Sequence, residues 1–454
     1  MSELDFELKN AYDVMDEAEQ KAAFDYCEGY KDFLDKGKTD RLAAAYIAAK
    51  ASQKGFVPFE DGKKYKAGDK IIHVQKNHSV ILAVIGKKSP EEGFNITAAH
   101  IDSPRLDLKP NPLYEDSGMA YFKTHYYGGI LKYQWHTIPL ALCGVVCKKD
   151  GSKVEVNIGS DAGDPVFCIT DLLPHLGKDI VTKPVSQAFP AEGLNILLAS
   201  RPDASRDGDR VKTAVLKFLN EKYGITAEDF HYAELTAVPA DNARDVGFDR
   251  SLIASYGHDD RVCAYPCLTA IFEIENPEKT CVTVLTDKEE IGSVGITGLR
   301  SDYLTNFLLA LCDGYNSRKA FANSAAVSAD VAAAYDPNYA EVFDKKNAAF
   351  ANCGPAVCKY TGHGGKSGAS DAQPEFIAKL AGIFDEEKVM YQFTEMGKVD
   401  QGGGGTVSQF LADRNIEVLD IGVAMLCMHA PCEIAAKADI YMMHKLCKAF
   451  YSKN

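Results

Sequence analysis

The sequence predicts an α/β fold in two domains, one of them interrupted by the other. Three observations lead there. At 454 residues the chain exceeds what one ordinary core organises. Helical and strand-like segments alternate near both ends, and the texture between them changes to short strands, aromatics and polar turns. The expected division is residues 1–108 and 246–454 for the α/β domain, with residues 109–245 inserted as a mainly β module.

The elements follow in order. Residues 10–54 interleave charged residues with Ala, Leu, Tyr and Phe, which predicts one or two helices stopped at Gly55. The runs KIIHVQ, SVILAVIG (79–86) and NITAAH (95–100) are apolar, rich in β-branched residues and separated by polar or Gly positions, so strands are expected. Prolines 104, 110 and 112 mark the change of texture, and one amphipathic helix is expected near 212–223 of the inserted module. Four short strands matter most: ITAA (96–99), VTVLT (282–286), AAVSA (325–329) and VAMLC (423–427). Each runs into His or acidic residues. In an open α/β sheet such groups, at the carboxyl ends of strands, converge on one crevice.

Composition narrows the function. With 46% hydrophobic and 25% charged residues, the chain reads as a globular protein and not as a disordered or fibrous one. Its net charge of -14, without a Lys/Arg-rich run, opposes nucleic acid as a partner. No apolar stretch of about 18 residues predicts a membrane span, and MSELDFELKNAYD lacks the pattern of a secretory signal. The 13 cysteines are odd in number and scattered, which fits a reducing cytoplasm better than a disulfide framework.

The polar residues at the strand ends suggest a metal site. Asp102, two residues beyond His100, is placed to orient that imidazole or to accept its second ring proton. Asp259 and Asp260 stand before an expected helix, and residue order alone leaves open which of them bridges two cations and which is a cap. In LTDKEEIGSVG the adjacent Glu289 and Glu290 point in different directions, so one can reach a metal and the other an attacking water. Asp330 and His429 end apolar runs, and a buried acid in such a place needs a partner.

Taken together, ITAAHIDSPRLDLKP, GHDDRVCAY, DKEEIGS, VSADVAAAYDPNY and CMHAPCE closely resemble the M18 family of metallo-aminopeptidases, in the family order. The resemblance implies an α/β/α metallopeptidase catalytic domain carrying an inserted mainly β oligomerisation domain. It implies two divalent metal ions, zinc first, with cobalt and manganese as alternatives that these ligands do not separate. His100 and Asp330 would hold one ion, Glu290 and His429 the other, and Asp259 would bridge them. Glu289 would be the general base and Asp102 the support of His100, with a cis peptide between Asp259 and Asp260. Substrates would be peptides with a free amino terminus, and the assembly a homo-oligomer, a dodecamer by family resemblance.

Other features carry less. KYTGHGGKSGAS (359–370) is no phosphate loop, because Tyr360 stands where the pattern needs glycine; Lys359 and Lys366 are candidate substrate contacts. Gly402 to Gly405 suggest a close backbone approach. Cys427, His429 and Cys432 lack a fourth ligand for a closed zinc cluster, and Cys427 is expected to pack in a sheet. Ile138 stands where many relatives have arginine after the Trp135 motif, which weakens the transfer of acidic-substrate specificity, and His175 is a candidate contact to a neighbouring subunit. A metal-dependent amidase or deacylase is the alternative enzyme, and a noncatalytic assembly protein the alternative of another class.

Overall fold

The computed structural model describes residues 7–205, 207–368 and 370–454. The chain divides into two compact units, Met1–Asp102 with Ala243–Met428 and Cys432–Asn454, and Ser103–Asn242 with His429–Pro431.

The first unit is built on a nine-stranded sheet. Its centre is four parallel neighbours, Thr280–Thr286, Phe94–His100, Ala325–Ser328 and Glu417–Gly422. Thr280–Thr286 and Phe94–His100 are buried along their whole length, as expected of parallel strands covered on both faces. Alternation sorts their side chains into two cores. Ile96, Ala98, Val282 and Val284 pack on one face with Leu304 and Leu308 of the helix Tyr303–Leu311. Ala99, Cys281 and Leu285 pack on the other with Val262 and Leu268 of the helix His258–Phe272, and with Leu446 and Phe450 of Lys437–Lys453. This is an α/β/α arrangement. The polar members of the second face are satisfied, since the Tyr451 hydroxyl lies 2.6 Å from Thr97 Oγ1 and 2.7 Å from Thr283 Oγ1.

The amino-terminal region forms Ala11–Val14, Glu17–Lys36 and Asp40–Gln53. Asp16 and Thr39 cap the longer two by accepting from Glu19 N and Leu42 N, and Gly55 follows the last with φ 84°.

Three of the four strands singled out from sequence are adjacent in this sheet. The fourth is not: Ala424–Leu426 belongs to a separate five-stranded sheet, beside Ala332–Ala333 and Glu433–Ala436. The large sheet uses Glu417–Gly422 instead, and a Cβ on Gly422 would lie 1.6 Å from the Asp330 carbonyl oxygen. Only glycine lets the chain pass Asp330 there.

The second unit holds a six-stranded antiparallel sheet in the order Lys153–Ile158, Leu140–Cys147, Ala233–Pro239, Arg105–Asp116, Met119–Tyr127 and Ile196–Ala199, with the helix Arg210–Tyr223. Pro110 and Pro112 fall inside the strand Arg105–Asp116, not in a linker. They occupy the stretch where the register shifts between Leu108 and Leu113, the kind of position at which a strand tolerates a missing N–H.

Candidate metal centre

His100 closes the strand Phe94–His100 and is buried. Its backbone N–H donates to Asp260 Oδ2 at 3.2 Å. The ring Nδ1 lies 3.1 Å from the carbonyl oxygen of Asp102 and 3.4 Å from its Oδ1, so the proton on Nδ1 is held chiefly by backbone, and the carboxylate is the more distant partner. Nε2 then faces Asp259 Oδ1 at 3.1 Å and Asp330 Oδ1 at 3.8 Å.

Asp259 and Asp260 open the helix His258–Phe272 with non-helical dihedrals, and the peptide bond between them is cis. Asp259 N donates to Glu433 Oε2 at 3.1 Å. The preceding His258 is fixed from both sides: Nε2–H donates to the Ile253 carbonyl at 3.1 Å, and Nδ1 lies 2.8 Å from the Tyr30 hydroxyl. Burial lowers His258 to about 3, so its ring is neutral and that hydroxyl donates to it.

Glu289 and Glu290 do not lie on the strand itself, which ends at Thr286. They form a 3-10 turn between Lys288 at φ 70° and Gly292 at φ 87°. The carboxylate of Asp102 accepts from both of its amides, Glu289 N to Oδ1 and Glu290 N to Oδ2, each at 3.2 Å. Asp102 thus holds the glutamate turn as well as standing beside His100.

Two ligand groups share the imidazole. His100, Asp259 and Glu290 bring ligand atoms within 4.8 Å of one another, and so do His100, Asp260 and Asp330. The electrostatics favour a cation. Burial by itself would lower the His100 ring, yet the hydrogen bonds of Asp102 and Asp259 and the charge of Asp330 hold it well above the ordinary imidazole range. Burial raises Asp330 well above the carboxylate range, and the charge of Asp260 adds to it. Burial likewise raises Asp260, with His100 opposing and Asp259 reinforcing the shift. Asp260 Oδ1 is buried with no hydrogen-bond partner among the described residues. Several acids crowded on one imidazole, with nitrogen and oxygen donors at ligand spacing, fit a zinc-type ion.

His429 lies in the second unit, at φ 66°, with Nδ1 2.7 Å from the Gly129 carbonyl. That bond places the proton on Nδ1. A Cβ on Gly129 would stand 3.4 Å from this Nδ1, at van der Waals contact with the ring. Asp260, which residue order left open as an alternative to Asp259, joins His100 and Asp330 in a ligand group of its own.

The remaining candidates settle as follows. Lys366 Nζ sits 3.6 Å from the centre of the Tyr360 ring and 3.3 Å from Asp371 Oδ2. The glycine run meets backbone: a Cβ on Gly402 would lie 1.7 Å from Met396 O, and one on Gly403 2.0 Å from Gly362 O. Cys427 is exposed at φ 60°, beyond the end of its strand, and is not packed in a sheet. Lys359 is exposed, and His175 is exposed in a turn of the second unit. Among the described residues no helix is long and apolar enough to cross a membrane.

Residues 33–451 match the family model described as aminopeptidase I zinc metalloprotease (M18). A probable M18 family aminopeptidase 1 of Clostridium acetobutylicum is 48% identical over 448 residues, covering 96% of each chain. The crystal structure of the M18 aminopeptidase of Thermotoga maritima superposes with a TM-score of 0.95 at 40% identity, covering 99% of this chain and all of that one. The more distant S. cerevisiae mApe1 dodecamer shares the fold, with a TM-score of 0.77 at 19% identity over 94% of this chain and 97% of its own.

Proposed function

Because the chain belongs to the M18 family and is a zinc metallo-aminopeptidase, we propose that it holds two divalent ions and hydrolyses peptides from a free amino terminus. The observation that carries this reading is the convergence of Asp259, Glu290, Asp260 and Asp330 on one buried imidazole, His100. In this reading His100 and Asp330 serve one ion, Glu290 and His429 the other, and Asp259 both.

When bound, such ions acidify a water and stabilise the oxyanion that develops at the peptide carbonyl. The chain's own residues do the rest. Glu289 accepts the proton of the attacking water and returns it to the departing amine. Asp102 fixes the amides of Glu289 and Glu290, so the base is presented on a held turn. The Asp102 carbonyl keeps the His100 proton on Nδ1 and turns Nε2 toward the acids.

The acting assembly is a cytoplasmic homo-oligomer, a dodecamer by family likeness, with the inserted module of residues 109–245 supplying the assembly surface. Leu172, Leu173, Leu176 and Val181 of that module are exposed, which supports the assignment.

The test combines metal and turnover. Two zinc equivalents per chain are expected in the active enzyme, with cleavage of short peptides abolished by acetylation of the amino terminus. Glu289→Gln is expected to keep both equivalents and lose turnover on the order of a thousandfold. A variant as active as the natural enzyme rejects the base, and full activity with one ion rejects the two-ion centre.

A further inference from the structure

Just ahead of the glutamate turn in the chain, Asp287 belongs to a second buried group that the chemistry above does not use. Asp40, His78 and Asp287 bring ligand-type atoms within 4.8 Å of one another, and all three residues are buried. They come from three different elements. Asp40 is in the first turn of the helix Asp40–Gln53, where the helix terminus favours its negative charge. His78 immediately precedes the strand Ser79–Val84, and Asp287 follows Thr280–Thr286, two residues ahead of Glu289.

Both carboxylates converge on the same ring nitrogen. His78 Nδ1 is hydrogen-bonded to Asp40 Oδ2 and lies 3.5 Å from Asp287 Oδ2. Two acceptors can share that atom only if it carries a proton, so Nδ1 donates to Asp40 and attracts Asp287 electrostatically. Asp287 Oδ2 also accepts from Thr297 Oγ1 at 2.7 Å and lies 3.4 Å from Lys288 Nζ. Those donors, one of them an ammonium, argue against a third metal ion here: the oxygen is already engaged and a second cation would be repelled. Burial raises Asp287 to about 6, and the charges of Asp40 and Asp102 add to the shift, as expected where acids crowd and a proton between them is needed.

The backbone joins this group to the base. Asp287 N donates to Ser79 Oγ at 3.0 Å, and the Ser79 hydroxyl donates to Thr297 O at 2.7 Å. The turn is therefore pinned by the Asp287 network just ahead of it and by the two amide bonds from its first residues, Glu289 and Glu290, to Asp102. Without His78, Asp40 and Asp287 would face each other as like charges. Their separation would move the turn that carries Glu289.

We propose that His78 is a positioning residue for hydrolysis: held between Asp40 and Asp287, its ring fixes the turn that presents Glu289 to the water. The inference rests on the base assignment made above. A displacement of about 1 Å at a reacting group costs on the order of a hundredfold in rate, so the expected effect is large although His78 touches no substrate.

The experiment compares His78→Ala and His78→Asn in the zinc-loaded, full-length enzyme, with kcat, KM, zinc content and thermal midpoint measured for each. Asparagine places an amide N–H near the position of Nδ1. His78→Ala is expected to lower kcat about tenfold to a hundredfold with KM and zinc content unchanged, and His78→Asn to recover to within about threefold of the natural enzyme. The proposal is overturned if His78→Ala keeps kcat within about threefold, if its activity falls only in proportion to lost zinc or folded protein, or if His78→Asn gives no recovery. Glu289→Gln run alongside separates the two readings. An active Glu289→Gln removes the base assignment, whereas an inactive one beside an unaffected His78→Ala removes only this inference.

Discussion

Replacing Asp102 tests how much of the site depends on one buried carboxylate. Asp102 is fully buried and accepts from the amides of Glu289 and Glu290, each at 3.2 Å. Asp102→Ala leaves both donors without that acceptor, at about 1–3 kcal/mol each if they stay dry, hence roughly 2–6 kcal/mol for the pair. Water entering the space brings the cost toward the lower end. Asp102→Asn keeps one carbonyl oxygen but turns an NH2 toward the other amide, so about half of that loss is expected. Activity is expected to fall by about 10–100-fold in the alanine variant, because Asp102 holds both His100, the proposed ligand, and the turn of Glu289, the proposed base. Urea unfolding of the zinc-loaded protein measures the first quantity and initial rates on a dipeptide measure the second. Stability within about 1 kcal/mol of the natural protein together with unchanged kcat would refute the claim that Asp102 holds the glutamate turn.

Two further outcomes follow from other residues. Asp439 is buried and accepts from Asn352 N and Gly354 N, both at 2.7 Å, yet burial raises it to about 7 from 3.8. The folded state therefore binds its proton more tightly than the unfolded chain does. This contribution is fully present below about pH 4 and is lost as pH rises through about 7, by up to about 4 kcal/mol. Asp439→Asn should flatten denaturant-measured stability over that window, and an unchanged pH slope would contradict the assignment. At Gly129, a Cβ would stand 3.4 Å from His429 Nδ1, already at van der Waals contact, so a larger side chain must displace the ring from the Gly129 carbonyl. Gly129→Val should weaken binding of one zinc equivalent about tenfold or more in calorimetry while Gly129→Ala does less, and equal binding by all three proteins would remove the role given to the carbonyl.

Much of the fold was legible because buried parallel strands carry a strong signature. Phe94–His100, Thr280–Thr286 and Ala325–Ser328 read as short apolar runs ending in polar residues, and they lie side by side. The fourth expected partner was misread for a local reason. Glu417–Gly422 and Ala424–Leu426 are two apolar strands separated by Val423 alone, and nothing in their composition says which joins the large sheet. Gly422 decides it, through a close approach to Asp330 that only the folded backbone reveals. Pro110 and Pro112 were likewise ambiguous, since proline marks a linker and a register shift within a strand equally well.

The candidate residues were legible by type, and their partners were not. An acid at the end of an apolar run advertises a need for a counter-charge, and Asp330 shows it without any structure. The residues that position the candidates carry no such mark. Nothing in the sequence singles out Asp40, His78 or Asp287, yet the three meet in one buried group two residues ahead of Glu289. Metal ligands must each satisfy a chemical demand visible in one residue, whereas a supporting network satisfies a demand that exists only between residues distant in sequence. For this chain that predicts where substitutions do unexpected harm. A change at Gly129, His78 or Asp102 should act through groups it does not replace, and its signature is altered turnover or zinc affinity in a protein whose ligand set is intact.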